Sequence, residues 1–354
     1  CTMLSSRMHL DILHVTAFIA VLCILCVFGL MLSEPSFLTM YPATSRIFST
    51  YFDTTAYPLI SNSSAESQRT LCGWLFTFDP GAGGVGNNVY ELFSFVGVAN
   101  MIHRSPVISP DAFRYFTSEH PMLLNMLRGI HVAVNPHNIT KAPFEHECCS
   151  FSDPLVALKK LDHIRNLHVE FYLLQSYKYF ASVDEQDMKQ RLRVSEVHEE
   201  IASYRVVDQR FFDYTDHVLC IHSRRGDFIQ SDLHAHSTEA FTLPAFHLLV
   251  QRAIANYGKM NIGVVMLGDD DKWQSKMIEK SKAYVKLRNS SMLSSFKMTV
   301  ARHDGLQAEI DWEFSRQYCD TVLLTASAST FGWFVAYNSK GGDIYYNSVF
   351  SKPG

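Results

Sequence analysis

The stretch HVLCIHSRRGD, residues 217–227, decides how this chain reads. Its first seven residues hold the apolar run Val218 to Ile221 between two histidines, and after Ser223 two arginines, a glycine and an aspartate follow at once. A short apolar run closed by turn-forming polar residues reads as a strand buried on both faces, the habit of a parallel sheet. The pattern recurs at CGWLFTF (72–78), NIGVVMLG (261–268) and TVLLTAS (321–327). Helix-like segments lie between: Val89 to Met101, about Pro244 to Tyr257, and IDWEFSRQYC (310–319). Parallel strands need crossovers of helical length, so the alternation predicts an α/β fold with mainly parallel sheets. A chain of 354 residues, 47% hydrophobic and 19% charged, can bury a core for one large or two ordinary domains. Its formal net charge of −4 gives no reason to expect nucleic acid or a polybasic membrane contact, so any anion site must be local.

Working outward to the N-terminus, ILHVTAFIAVLCILCVFGLML (12–32) is long enough for a membrane-spanning helix, since about 21 residues cover roughly 30 Å. A signal peptide would show a shorter apolar region and a small-residue cleavage pattern, which does not follow here. The expected organisation is a tail at 1–11, an anchor at 12–32, a Ser/Thr/Pro-rich stem at 33–70 and a folded body at 71–354. Sequons at Asn62, Asn138 and Asn289 agree with a luminal body. Among the eight cysteines, Cys72, Cys148 and Cys149 suit disulfides in an oxidising compartment, whereas Cys220 and Cys319 read as buried thiols.

Four segments carry chemistry, each directly after a strand, where open α/β sheets bind ligands. In His222-Ser223-Arg224-Arg225-Gly226-Asp227 the arginine forks match phosphate oxygens, and Asp227 reads as a guanidinium partner. Such a cluster can stabilise a departing diphosphate without a metal. The glycine-rich turn Gly81 to Asn88 lets backbone approach a ligand at a helix N-terminus, but no Gly-Lys-Ser/Thr follows, so it is not a Walker A loop. Asp269 and Asp271 form a D-x-D pair that could serve a divalent cation; acidic capping of a helix is the competing reading and the favoured one. Ser327 to Trp333 offers hydroxyls and an aromatic at a strand-to-helix turn.

The order of Gly83-Gly84-Val85-Gly86-Asn87, Phe171 to Phe180 (FYLLQSYKYF), His222 to Asp227, Gly268-Asp269-Asp270 and Ser329-Thr330-Phe331-Gly332-Trp333 resembles the galactoside α-1,2-fucosyltransferase family. The resemblance covers roughly residues 72–340, and its His-x-Arg-Arg-x-Asp element is shared with other fucosyltransferases. It implies two Rossmann-like lobes (GT-B-like), about 71–210 and 211–354, behind a Golgi signal-anchor, and a homodimer is compatible with it. It also implies GDP-β-L-fucose as donor, a glycan acceptor, inversion, and no metal or other cofactor. By motif, Arg224 would bind the diphosphate and stabilise the departing GDP, with His222 and Arg225 helping and Asp227 beside them. Ser329, Thr330 and Phe331 would contact phosphate and fucose, Asn87 would face the reacting centre, and Asp311 and Asp320 would touch the nucleotide. The sequence departs from the family at Asn88-Val89-Tyr90 and at Trp333-Phe334. Two other readings stay open: a metal-dependent glycosyltransferase using Asp269 and Asp271, and a non-catalytic luminal protein that binds glycan or nucleotide.

Overall fold

Two runs of short apolar segments build two separate parallel sheets. The structure, a computed structural model, describes residues 69–79, 82–133, 139–144, 150–194, 200–206, 208–258, 260–288, 293–301 and 308–352. The tail, the 12–32 span, most of the stem, all three sequon asparagines, Cys148 and Cys149 lie outside the described residues. No helix among the described residues is long and apolar enough to cross a membrane.

The first sheet holds β1 (Thr70–Leu75), β2 (Ser105–Ile108), β3 (His131–Val132), β4 (Ile139–Ala142) and β5 (Asn166–Phe171), in the order β3-β2-β1-β5-β4. The second holds β6 (His217–Ser223), β7 (Met260–Gly268), β8 (Leu293–Val300), β9 (Thr321–Leu324) and β10 (Asp343–Tyr346), in the order β10-β9-β6-β7-β8. Every pairing in both is parallel. In each sheet the chain starts centrally, winds out to one edge and returns to the other side of its first strand. The winding reverses between β1 and β5, and again between β6 and β9, which are the crevices where such sheets bind ligands.

The helices are α1 (Val85–Met101), α2 (Pro110–Glu119), α3 (Pro154–Leu158), α4 (Glu185–Arg191), α5 (Gly226–Gln230), α6 (Glu239–Tyr257), α7 (Asp271–Arg288), α8 (Ile310–Tyr318) and α9 (Thr330–Tyr337). α1 is buried nearly all round because it lies between the first sheet and α9. Tyr90 and Phe93 of α1 pack on Phe334 of α9 with ring centroids 5.8 and 5.9 Å apart, and Tyr90 meets Trp333 at 5.5 Å. Each such pair contributes about 0.5–1.5 kcal/mol beyond its area, so one aromatic core runs through both lobes. Gly97 is needed on that helix: a Cβ there would sit 2.0 Å from the Tyr179 carbonyl oxygen.

Several boundaries differ from the sequence reading. β1 ends at Leu75 because Phe76–Phe78 curl into a 3-10 turn. α1 begins at Val85, so half of the expected glycine turn is helix. α6 begins at Glu239, before Pro244, because the Thr238 hydroxyl accepts from the Phe241 amide. The link between lobes also shifts, for the 3-10 segment Glu200–Arg205 packs on α8 of the second lobe.

Cys220 and Cys319 are not thiols. They form a disulfide with 5.6 Å between Cα atoms across 99 residues. Cys220 lies on the central strand β6 and Cys319 caps α8, and both are fully buried. Cys72 is a buried free thiol, and burial pushes its pKa up. Closing a loop of this size typically stabilises a domain by about 2–4 kcal/mol. Denaturant unfolding of Cys319→Ala is therefore expected to show a loss of that order; an unchanged midpoint would mean that the bond adds nothing.

Candidate functional site

Both reversal points open onto one cleft of about 1090 Å³. From the second sheet, β6 delivers His222, Ser223 and Arg224 to it. The strand can end so close to β7 because Gly268 has φ +141 and a Cβ there would lie 2.1 Å from the Ser223 carbonyl oxygen. Ser223 is buried, donating to the Leu267 carbonyl at 3.3 Å and accepting from Gln274 at 2.9 Å. The next residue, Arg224, turns into the cleft with its backbone amide donating to Ser237 Oγ at 2.9 Å.

The Arg224 guanidinium sits between Asp227 (2.9 Å) and Asp269 (3.2 Å) and lies 5.6 Å from the Phe228 ring. One exposed carboxylate and one mostly covered one thus hold the fork in place without burying it. Arg225 has another duty. It pairs with Asp270 at 2.9 Å, donates to the Ser237 carbonyl at 2.7 Å and stacks 4.8 Å from Trp273. It does not line the cleft, so the expected phosphate contact gives way to a structural anchor.

The acidic run serves the arginines and a helix. Asp269 accepts from the Arg225 amide at 2.8 Å besides meeting Arg224. Asp270 accepts from the Trp273 amide at 3.0 Å and so caps α7, and these bonds with the Arg225 pair hold its carboxyl below the usual range against desolvation. Among the described residues no group of three or more His, Cys, Asp or Glu is placed to hold a metal ion.

His222 is 1% exposed, and burial together with the Arg224 charge lowers its pKa to about 3. The imidazole is therefore neutral at physiological pH. Its Nδ1 has no hydrogen-bond partner in the structure, and its ring lies 5.8 Å from that of Phe331. Gly332 makes room for it, since a Cβ there would lie 2.5 Å from Nδ1.

The N-terminus of α9 enters the same cleft. Ser329 caps it by accepting from the Gly332 amide at 3.1 Å, and Ser329, Thr330 and Phe331 line the space. The N-terminus of α1 arrives from the first lobe at the glycine turn. Gly86 allows contact: a Cβ there would be 2.4 Å from the Phe331 amide nitrogen. Beside it, Asn87 Oδ1 accepts from Thr330 Oγ1 at 2.6 Å and from Gln175 Nε2 at 3.0 Å. With its oxygen so engaged, what Asn87 offers a ligand is its amide N–H. Two helix N-termini and one guanidinium therefore converge on a single anion site.

Asp311 also lines the cleft, but it forms a buried ion pair with Arg205 at 2.7 Å. Asp320 is misplaced in the sequence reading. It precedes β9, at the opposite end of the sheet, where it accepts from the Val218 amide at 2.9 Å and pairs with Lys340 at 2.8 Å. Glu91, near the loop in sequence, is a buried carboxyl whose pKa is raised by desolvation and which holds Thr77 through the amide (2.8 Å) and hydroxyl (2.7 Å).

Some of this was not readable in advance. His120 joins Glu309 (2.9 Å) to Asn88 (2.9 Å), a buried network behind the cleft that links the end of α2, the start of α1 and the entrance to α8. Gln175 lay within a quoted motif, but its bond to Asn87 spans 88 residues.

A histidine whose folded pKa is depressed adds stability above its unfolded value, near 6.5, and that stability is lost as pH falls toward about 3. A nitrogen-15 histidine titration should therefore leave His222 unprotonated at all pH above about 4, while a midpoint near 6 would contradict this burial.

No protein-family model matches the chain. A galactoside 2-alpha-L-fucosyltransferase of Caenorhabditis elegans is 28% identical over 309 residues, 82% of this chain and 74% of that protein. Another C. elegans protein of the same name is 27% identical over 276 residues, 75% of this chain and 70% of that one. A solved structure of an Arabidopsis thaliana FUT1 variant in complex with GDP aligns at TM-score 0.45 and 10% identity, covering 79% of this chain and 70% of that one. Over most of its length the chain is thus related to galactoside 2-alpha-L-fucosyltransferases, as the order of its motifs implies.

Proposed function

We propose that this chain is a glycosyltransferase that moves L-fucose from GDP-β-L-fucose to O-2 of a terminal β-galactose, with inversion and without a metal. The observation that carries the reading is the convergence of Arg224 with the N-termini of α1 and α9 at the two sheet-reversal points. That arrangement suits a diphosphate. The names of the relatives supply the sugar and the acceptor class.

In this reaction the bond from fucose C1 to the β-phosphate oxygen breaks as the galactose O-2 bonds to C1 from the opposite face, and the proton of that hydroxyl is released to solvent. Negative charge grows on the departing GDP. Arg224 is the fork that meets it, and the first-turn amides of α9 lie beside it. Asp227 and Asp269 hold that fork in place before the donor arrives. Neutral His222 offers a hydrogen-bonding nitrogen without a second charge. Asn87, oriented by Thr330 and Gln175, faces the reacting sugar from the acceptor side.

The metal-dependent alternative would use Asp269 and Asp271, and Asp269 is already engaged by Arg224 and by the Arg225 amide. We place residues 12–32 as a single membrane anchor with the body in the Golgi lumen, a reading supported by the apolar run, the sequons and the buried disulfide.

The test is transfer from GDP-fucose to β-galactosides by the full chain in detergent with EDTA present. Activity should persist in EDTA and fall about 10²–10³-fold in Arg224→Ala, the usual loss for one preorganised donor at a developing charge. Arg224→Lys should recover little of it, because a point charge lacks the fork. Transfer that stops in EDTA and returns with Mn²⁺ would favour the acidic run instead. Separately, Thr330→Val removes one of the two donors that orient Asn87, so kcat should drop about 5–10-fold with GDP affinity nearly unchanged, as expected for one hydrogen bond of about 1 kcal/mol.

A further inference from the structure

The charged groups that line the cleft come from the second lobe, while the first lobe contributes Gly83 to Asn87, Leu173 and Gln175, all uncharged. Beside those residues, at the carboxyl edge of the first sheet, three aromatic rings form a row. Trp74 and Phe76 have centroids 6.1 Å apart, and Phe76 and Tyr172 are 4.4 Å apart. Trp74 is 39% and Tyr172 48% exposed, although both sit at strand ends where large rings are normally covered. In the β1–β5 register Trp74 stands opposite Glu170, so these two positions share one face of the sheet. Glu170 pairs with Lys141 at 3.6 Å and gives the row a polar rim.

The row adjoins the cleft through the chain after Tyr172. Tyr172 is followed by Leu173, which lines the cleft and has φ +51, a left-handed conformation that a non-glycine residue adopts only under strain. Phe76 is followed by Thr77, which is held by Glu91 and would meet a Gly83 Cβ at 3.5 Å. The chain therefore turns sharply from Tyr172 toward the cleft at the end of β5. A volume of about 1090 Å³ stands at the upper end of the roughly 300–1,000 Å³ of ordinary small-molecule sites.

We infer that Trp74, Phe76 and Tyr172 form the acceptor platform, on which the apolar C–H face of a pyranose rests while its hydroxyls meet the Glu170–Lys141 rim. This deepens the proposed function and rests on it. Continuity with the cleft selects a saccharide, and so does size: three partly exposed rings fall well short of the roughly 800 Å² per partner that a stable protein interface buries.

Trp74→Ala and Tyr172→Ala are both partly exposed positions, so the fold should survive. With the full chain, each is expected to raise the acceptor KM about tenfold while the GDP-fucose KM and the acceptor-free hydrolysis of GDP-fucose stay at wild-type values. Trp74→Phe and Tyr172→Phe should restore most of the affinity. Saturation-transfer NMR with a panel of galactose-terminated and other oligosaccharides, in the presence of GDP, reads binding apart from turnover. Wild-type binding that disappears in the alanine variants supports the platform even if no sugar is transferred, in which case the transferase reading alone falls. An unchanged acceptor KM in both variants overturns the platform while leaving the transferase reading intact. Absence of binding to every saccharide overturns it too, as does a change in sedimentation that marks the rings as a contact between copies.

Discussion

The structure depends on one close approach: the first turn of α1 pressed against the first turn of α9. Gly86 has no Cβ because the Phe331 amide occupies that space, and Thr330 donates across the gap to Asn87. The first lobe brings the N-terminus of α1 to its reversal point, and the second brings that of α9 to its own. Held together, two dipoles point into one cleft beside Arg224, which is what turns two ordinary parallel sheets into an anion site. The aromatic packing of Tyr90 and Phe93 on Phe334 supports this contact from behind, and the His120–Glu309–Asn88 network supports it from the side. A larger residue at 86 would separate the lobes where the chemistry takes place.

Around that contact the charges are arranged in two groups. Arg224 is held at the cleft by two carboxylates and is still reachable, whereas Arg225 is committed to Asp270, a carbonyl and an indole face. Adjacent arginines of identical chemistry thus have different work, decided by which side of the strand end each leaves. Burial keeps His222 uncharged between them and the α9 turn. The acidic residues after β7 complete the second group as partners for arginines and as a helix cap.

The second lobe was the more legible of the two. β6 and β7 are long apolar runs ending at Arg224 and Asp269, and their observed limits lie within a residue of those read from sequence. The site signal was local there as well, since His222, Arg224 and Asp227 are near neighbours in the chain. The first lobe hides its strands: β2 is only Ser105–Ile108 and contains a proline, and β3 is two residues long. Residue contacts across distance were out of reach. Cys220 and Cys319 look like two separate apolar thiols until the fold brings the end of α8 against β6. Asp320 sits beside the right strand but at its wrong end, a distinction that depends on strand direction and on which neighbour it caps. Trp74 and Phe76 belong to an apolar run that reads as a buried strand, yet Trp74 is partly exposed beside Tyr172.

The most direct measurement is a crystal structure of the full chain with GDP, grown in EDTA. The account predicts the β-phosphate bound to the Arg224 guanidinium and to the first-turn amides of α9, with Asn87 within reach of the vacant sugar position. A diphosphate found instead against Asp269 to Asp271, or GDP that binds only after a divalent cation is restored, would contradict it.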